Sequence, residues 1–161
     1  RSGGPLGTYG VYLFDLVRWM TGQVIRELAA FGDNFATSEI EAEDTVKILG
    51  IQADESQCSL ELYSGIRHEF PFVRVEAIGE KGTLVSNYEN YVTIEQTEEG
   101  VKFGGLRNTD MTAGEMEHFL DCVLNGTTER CGLTDMTYVV RCIDAVFQSM
   151  EQHAIVRLEG I

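Results

Sequence analysis

An α+β fold is predicted for this chain of 161 residues, with an open, predominantly antiparallel β-sheet and helices packed on one of its faces. The order of the hydrophobic patterns carries this prediction: one apolar helix, a long run of segments that alternate with period two, then two amphipathic helices. Hydrophobic residues make up 43% and charged residues 24% of the chain, as in an ordinary globular domain. We therefore expect residues 1–161 to form one domain.

The first predicted helix follows a glycine-dense segment, residues 2–10, that cannot be regular structure throughout. Residues 11–20 are apolar except for Asp15 and Arg18, and Gly22 is a plausible stop signal. A helix that is apolar almost all round has to be covered on more than one side. We expect Asp15 and Arg18 to form an i, i+3 ion pair on its least buried side.

The middle of the chain has the alternation of β-strands. The predicted strands are residues 24–31, 45–52, 57–63, 72–79, 83–86 and 91–96. Glu80, Lys81 and Gly82 are predicted to join two of them in a tight hairpin, with Gly82 free to take a positive φ.

One face of the predicted sheet is apolar and the other is mixed. Tyr63, Arg74 and Thr93 fall on the mixed face, which combines aromatic, basic and hydroxyl side chains. Such a face suits a partner better than bare solvent, so we expect a homo-oligomer that associates through it. An ordinary solvated face is the alternative.

Two amphipathic helices are predicted after the strands. Thr112 and Glu115 have the spacing of a capping box at the start of the first helix, and Gly126 is expected to end it. Thr134 is the predicted cap of the second helix. We expect the apolar stripes of both helices to cover the apolar face of the sheet, and residues 154–158 to add an edge strand.

Charge and cysteine usage exclude several classes of function. Twelve basic against 26 acidic residues give a net charge of −14, which disfavours nucleic acid and anionic membranes as partners. No signal peptide or membrane-spanning segment is recognisable. The four cysteines form no C-x-x-C pair, so we expect no metal site but free thiols in a reducing cytoplasm.

Thr8 and Tyr12 are the candidate catalytic residues, because a spacing of four places both on one face of a helix. The Tyr12 phenol could donate a proton there. The alternative is that Tyr12 is a core aromatic and Thr8 an N-cap. Gly4, Tyr9 and His68 are the candidate substrate-binding residues, although a loop histidine such as His68 is more often simply solvated. No cofactor-binding residue is predicted, because the chain has neither a G-x-G-x-x-G nor a Walker A pattern.

Several motifs occur in the order found in a known family. They are the glycine-rich helix start in residues 3–19, Glu-Asp-Thr at 43–45, Ile-Gly-Glu-Lys-Gly-Thr-Leu at 78–84, and the helical segments 119–126 and 141–146. Together these segments make the chain resemble the C-terminal domain of the Gfo/Idh/MocA family of NAD(P)-dependent oxidoreductases. The resemblance covers nearly the whole chain.

The resemblance implies a missing partner domain. In the family an N-terminal Rossmann domain binds NAD or NADP and carries a catalytic lysine in a Glu-Lys-Pro motif. Lys81 is not that lysine, because it lies in the hairpin and is followed by Gly82. The family's usual Asp and His of the opening helix fall here on Thr8 and Tyr12. Tyrosine at the histidine position also occurs in branches that resemble glucose-fructose oxidoreductase and dihydrodiol dehydrogenase, but threonine cannot replace the charge of the Asp.

Two functions remain open at this point. In the first, the chain is the substrate-binding and oligomerisation domain of an oxidoreductase acting on a small molecule, namely a sugar, cyclitol or related polyol. Tyr12 is then the acid/base and Thr8 its hydrogen-bond partner. In the second, the parent protein is a non-catalytic relative that senses a ligand or serves in oligomerisation. Tyr12 favours the first function, and the missing Asp favours the second.

Overall fold

Three helices and eight strands make up the part of the chain described by the computed structural model. The described residues are 4–36, 39, 41–64, 74–87, 92–105 and 111–160. The elements in chain order are α1 (Pro5–Thr21), β1 (Ile25–Asp33), β2 (Thr45–Gln52), β3 (Gln57–Tyr63), β4 (Arg74–Gly79), β5 (Gly82–Asn87), β6 (Val92–Thr97), β7 (Gly100–Gly105), α2 (Met111–Asn125), α3 (Leu133–Gln152) and β8 (Val156–Arg157). Every strand pair is antiparallel, so the predicted α+β class is confirmed.

The strands form two four-stranded sheets, in the orders β3-β2-β1-β8 and β4-β5-β6-β7. The chain divides accordingly into a first unit, Arg1–Ile66 with Arg130–Ile161, and a second unit, Arg67–Glu129. The two sheets separate the side chains that were expected to share one mixed face. Tyr63 lies in the first sheet, whereas Arg74 and Thr93 lie in the second. The prediction of one sheet that carries all three residues is therefore wrong.

The core of the first unit lies between one face of its sheet and the helices α1 and α3. Strand positions Val46 and Ile48 alternate with exposed neighbours, and the α3 stripe contributes Val139 and Val146. All four side chains are at most 1% exposed. Phe14 of α1, at 0% exposure, completes the same core. The alternation of β2 and the helical stripe of α3 thus meet as the sequence predicts.

Buried hydroxyl groups fix the register of α3 against β1. The Tyr138 hydroxyl accepts the Ile25 N–H at 2.9 Å. The Ser149 hydroxyl accepts the Ala30 N–H at 2.9 Å and donates to the Ala154 carbonyl at 2.6 Å. Because these donors and acceptors are buried, each bond prevents an unsatisfied polar group as well as holding the helix in place.

The second unit contains a four-stranded meander. The predicted hairpin is confirmed: β4 ends at Gly79, β5 begins at Gly82, and Gly82 has a φ of 152°. A Cβ at Gly82 would overlap the carbonyl oxygen of Gln96 on the neighbouring strand. Glycine is thus required both for the backbone angle and for the close approach of β6. Strand β7 was not predicted.

The predicted cover by α2 is not found among the described residues. Its apolar stripe is exposed: Phe119 at 58%, Val123 at 64% and Leu124 at 74%. The helix begins at Met111, so the predicted cap Thr112 lies inside it. Its end is as predicted, because Gly126 takes a φ of 70° and its N–H donates to the Cys122 carbonyl.

Helix α3 begins at Leu133, two residues earlier than it would with the predicted cap at Thr134. Gly132 is the N-cap, and the Asp135 carboxylate accepts the Gly132 N–H at 2.9 Å. The helix ends at Gln152, and its C-cap His153 takes a φ of 51°. The predicted edge strand is confirmed as Val156–Arg157, which pairs with β1.

Candidate functional site

The first turn of α1 begins earlier in the sequence than predicted. Gly4 is the N-cap, with φ −81° and ψ 170°, and Pro5 occupies the first helical position. The proline ring fixes φ near its helical value and lacks the N–H that would have no partner there. The glycines that follow are tolerated because Leu6 and Gly10 are buried against the core. The helix therefore contains the segment that the sequence suggested was irregular.

Thr8 lies inside the helix and is not its N-cap. Its hydroxyl donates to the carbonyl of Gly4 at 3.2 Å, one turn back. Tyr12, four residues on, has 69% of its surface exposed. The interpretation of Tyr12 as a core aromatic is therefore wrong, and its phenol is open to a ligand. The predicted common face of Thr8 and Tyr12 follows from their spacing in a continuous helix.

The candidate substrate-binding residues occupy different environments. Tyr9 is 47% exposed on α1, close to the two candidate catalytic side chains in sequence. Gly4 is buried at the helix start. His68 lies outside the described residues. Substrate binding by these three residues stays a prediction.

Sequence analysis missed the side chain that closes the N-terminus of α1. The Glu43 carboxylate accepts the Leu6 N–H at 3.1 Å, across 37 residues of sequence. A Cβ at Gly4 would overlap that carboxylate, so glycine lets it approach. A negative charge at this position also interacts favourably with the helix dipole. The only sequence signal was the Glu43-Asp44-Thr45 motif, which by composition suggests a solvated turn.

Asp44 anchors the segment that carries Glu43. Its carboxylate is 2% exposed and accepts the N–H groups of Phe35, at 3.1 and 3.0 Å to its two oxygens, and Ala36, at 2.5 Å. It also accepts the Thr45 hydroxyl at 2.9 Å. The Asp44 carbonyl accepts the Ser64 N–H at 2.7 Å. A carboxylate with this many donors is held in one place, and the backbone beside it is held too.

The opposite end of α1 is fixed by charge. Arg18 contacts Asp15 at 3.0 Å, which confirms the predicted ion pair, and Asp135 of α3 at 2.9 Å. Burial by itself lowers the pKa of the Arg18 guanidinium, but the hydrogen bond to Asp15 and the charge of Asp135 raise it above its ordinary value. The bond to Asp135 thus joins α1 to α3, while Asp15 holds the guanidinium from within α1.

A cleft of about 470 Å³ lies at this charged end, lined by Arg18, Thr134, Asp135 and Arg141 among others. Arg18 is ten residues from Thr8, or about 15 Å along the helix. The cleft is therefore separate from the candidate catalytic face. Its two arginines already have partners, because Arg18 binds two carboxylates and Arg141 donates to the Gly160 carbonyl at 3.0 Å.

Two further findings concern metals and membranes. Within the described ranges, no group of three or more His, Cys, Asp or Glu side chains could hold a metal ion. None of the helices in the part of the chain that the structure covers is both long and apolar enough to cross a bilayer.

Comparison with known proteins decides the family. A family model described as "Oxidoreductase family, C-terminal alpha/beta domain" matches residues 1–158. The chain belongs to the Gfo/Idh/MocA oxidoreductase family. No curated protein sequence matches it at a significant level.

Solved structures show the same fold as this Gfo/Idh/MocA chain. Levoglucosan dehydrogenase in complex with NADH and levoglucosan has a TM-score of 0.88 at 16% identity, covering 99% of this chain and 51% of its own. The aldose-aldose oxidoreductase of Caulobacter crescentus, complexed with glycerol, gives 0.84 at 18%, covering 97% and 48%. The scyllo-inositol dehydrogenase of Lactobacillus casei, with bound NAD(H) and scyllo-inositol, gives 0.76 at 23%, covering 98% and 49%. The chain thus spans about half the length of these structures.

Proposed function

We propose that this chain is the C-terminal substrate-binding and oligomerisation domain of an NAD(P)-dependent oxidoreductase that acts on a sugar, cyclitol or related polyol. The observation that carries the proposal is the exposed phenol of Tyr12 on α1, at the position where the resemblance to the family implies a proton-transfer histidine. The relatives described as levoglucosan, aldose-aldose and scyllo-inositol enzymes support the substrate class.

Tyr12 is the proposed acid/base. Oxidation of an alcohol releases the hydroxyl proton, which a group at hydrogen-bond distance has to accept. A phenol ordinarily titrates at about 10, so it needs a nearby cation to accept a proton near neutrality. We expect the lysine of the N-terminal domain to be this cation. Thr8 can orient the phenol in its protonated form, by accepting the phenol O–H through its oxygen lone pairs, since its own proton is directed to the Gly4 carbonyl.

NAD or NADP is proposed to bind to an N-terminal Rossmann domain that lies outside this chain. A dinucleotide pyrophosphate binds to open N–H groups at a helix N-terminus. At α1, Pro5 has no N–H and the N–H of Leu6 is bound by Glu43. The carboxylate would also repel a phosphate, so the first turn of α1 does not fit this cofactor.

The open face of the first sheet is the proposed oligomerisation surface. Phe31 and Leu49 are 71% and 63% exposed there. Lys47 lies 3.6 Å from the Glu61 carboxylate and 5.8 Å from the centroid of the Tyr63 ring, and the Tyr63 hydroxyl donates to Glu61. This face combines apolar area with aligned polar groups, as interfaces do.

Light scattering on the full-length protein tests the oligomer. We expect Leu49→Lys to shift the particle toward the monomer mass, because it places a charge within the apolar part of the interface. Gln148→Lys, at an exposed position of α3, adds the same charge and should leave the mass unchanged. A wild-type monomer at tens of micromolar, or an unchanged mass in Leu49→Lys, would contradict this assignment.

Cysteine chemistry supports a cytoplasmic location. All four cysteines are free. Burial raises the pKa of the Cys142 thiol to about 12, so this thiol is unreactive within the core. Free thiols are usual in proteins of a reducing compartment.

The substitution Tyr12→Phe in the full-length protein tests the enzymatic function. It removes the hydroxyl and keeps the ring, so kcat for the polyol substrate should fall about 10²–10⁴-fold while stability stays unchanged. Tyr138→Phe is the matched control. It removes a buried hydroxyl that accepts the Ile25 N–H, so it should lower the melting temperature and leave kcat unchanged. Full turnover in Tyr12→Phe would show that another group accepts the proton.

A non-catalytic, ligand-sensing protein is the second candidate. Thr8 favours it, because its hydroxyl cannot ionise and its proton is already bonded to the Gly4 carbonyl. If the full-length protein turns over no polyol with NAD or NADP, this second function is the better one. Tyr12→Phe should then change only the affinity for the ligand.

A further inference from the structure

We propose that Glu43 is a positioning residue for Tyr12, and that Gly4 is glycine in order to admit its carboxylate to the N-terminus of α1. This inference rests on the proposed function of Tyr12. It adds a residue from a different part of the chain to the site, 37 positions away from Leu6, whose N–H it accepts.

The hydrogen-bond requirements of the first turn show why a distant carboxylate is needed. A helix usually satisfies its first N–H groups with the side chain of its N-cap residue. Gly4 has no side chain, and no N-cap side-chain bond is present. Pro5 removes one donor, and Glu43 accepts the next, the N–H of Leu6. Glu43 therefore does the work of an N-cap from outside the helix.

The carboxylate comes from a fixed backbone. Next to Glu43, the N–H of Asp44 donates to the Asp33 carbonyl at 3.1 Å, and the Asp44 carbonyl accepts the Ser64 N–H at 2.7 Å. These bonds tie the segment to the ends of β1 and β3. The start of α1 is thus held in a fixed position relative to the sheet of the first unit.

A fixed helix start matters for the proposed acid/base because Tyr12 lies farther along the same helix. Tyr12 lies six residues after Leu6, about 9 Å along the axis. Its ring is exposed, so few contacts of its own fix its position. Proton transfer needs placement within about 0.5 Å, and an error of about 1 Å can cost 10²-fold. Fraying of the first turn would release Thr8 and let the helix shift at Tyr12.

Four variants of the full-length protein test the inference. Glu43→Ala removes the carboxylate, whereas Gly4→Ala keeps it but displaces it, because the new Cβ overlaps it. We expect each to lower kcat about 10–100-fold with KM changed by less than about threefold. The double variant should be no worse than either single one. Glu43→Gln should retain most of the activity, because its amide oxygen can still accept the Leu6 N–H.

A matched control is Glu41→Ala, which removes an exposed carboxylate two residues away and should leave kcat unchanged. Effects of Gly4→Ala and Glu43→Ala that multiply in the double variant would show that Gly4 acts on the substrate directly, and would overturn the inference. An unchanged kcat in Glu43→Ala would also overturn the inference, provided that Tyr12→Phe is inactive. Full activity of Tyr12→Phe would instead contradict the proposed function.

Hydrogen exchange at the Leu6 amide gives a readout that does not depend on turnover. Exchange should be faster in Glu43→Ala and in Gly4→Ala than in the wild type, and close to wild type in Glu43→Gln. An unchanged rate in both alanine variants overturns the inference whatever the activity.

Discussion

Both units of the chain form a four-stranded antiparallel sheet, but the side chains of the two units are buried to very different extents. Every buried hydrophobic side chain among the described residues belongs to the first unit, where α1 and α3 cover the sheet. In the second unit the described strands form a continuous four-stranded ladder, yet Ile78 is 79% and Phe103 76% exposed. The comparison shows that alternation specifies a strand, whereas burial depends on which helix covers it.

The largest loss of stability should come from removing a large side chain from the core that α1 and α3 cover. Phe14→Ala removes a ring that is 0% exposed and should lower the free energy of unfolding by about 3–5 kcal/mol. Phe103→Ala makes the same change in the second unit, at 76% exposure, and should cost less than about 0.5 kcal/mol. Urea unfolding of both variants measures the difference. Equal losses of unfolding free energy would mean that the ring of Phe103 is covered in solution. They would contradict the difference in burial between the two units.

A smaller effect is expected at the hairpin of the second unit. Gly82→Ala places a side chain at a φ of 152° and against the Gln96 carbonyl, so β5 and β6 have to separate locally. The cost should be about 1–3 kcal/mol. Hydrogen exchange should show loss of protection in β5 and β6 with little change in β1 and β2. Gly100→Ala, also at positive φ but with open space at its Cβ, separates backbone strain from overlap.

The first unit was largely predictable because its signals are local. The stripe that includes Val139 and Val146 repeats at helical spacing, and both residues are buried as predicted. The shared face of Thr8 and Tyr12 follows from a separation of four in any helix. The start of α1 was misplaced because its glycines have low helix propensity, while Pro5 and the packing of Leu6 override it.

Contacts between distant segments were not predictable. Nothing in the residues around Glu43 indicates that its carboxylate meets the N–H of Leu6, because the two come together only when β2 pairs within the first sheet. The division into two sheets was missed for a similar reason. Periodicity assigns residues such as Tyr63 and Arg74 to strands, but it contains no information about which strands pair.

The bonds between α3 and β1 have a consequence for how the protein is made. Ile25 and Tyr138 are 113 residues apart, and Ala30 and Ser149 are 119 apart. During synthesis β1, β2 and β3 leave the ribosome long before the helix that covers them. For that interval the apolar face of a three-stranded sheet has no cover from α3, and the whole second unit is synthesised in between. Chaperone demand should therefore peak while the middle of the chain is being translated, and fall once α3 has emerged.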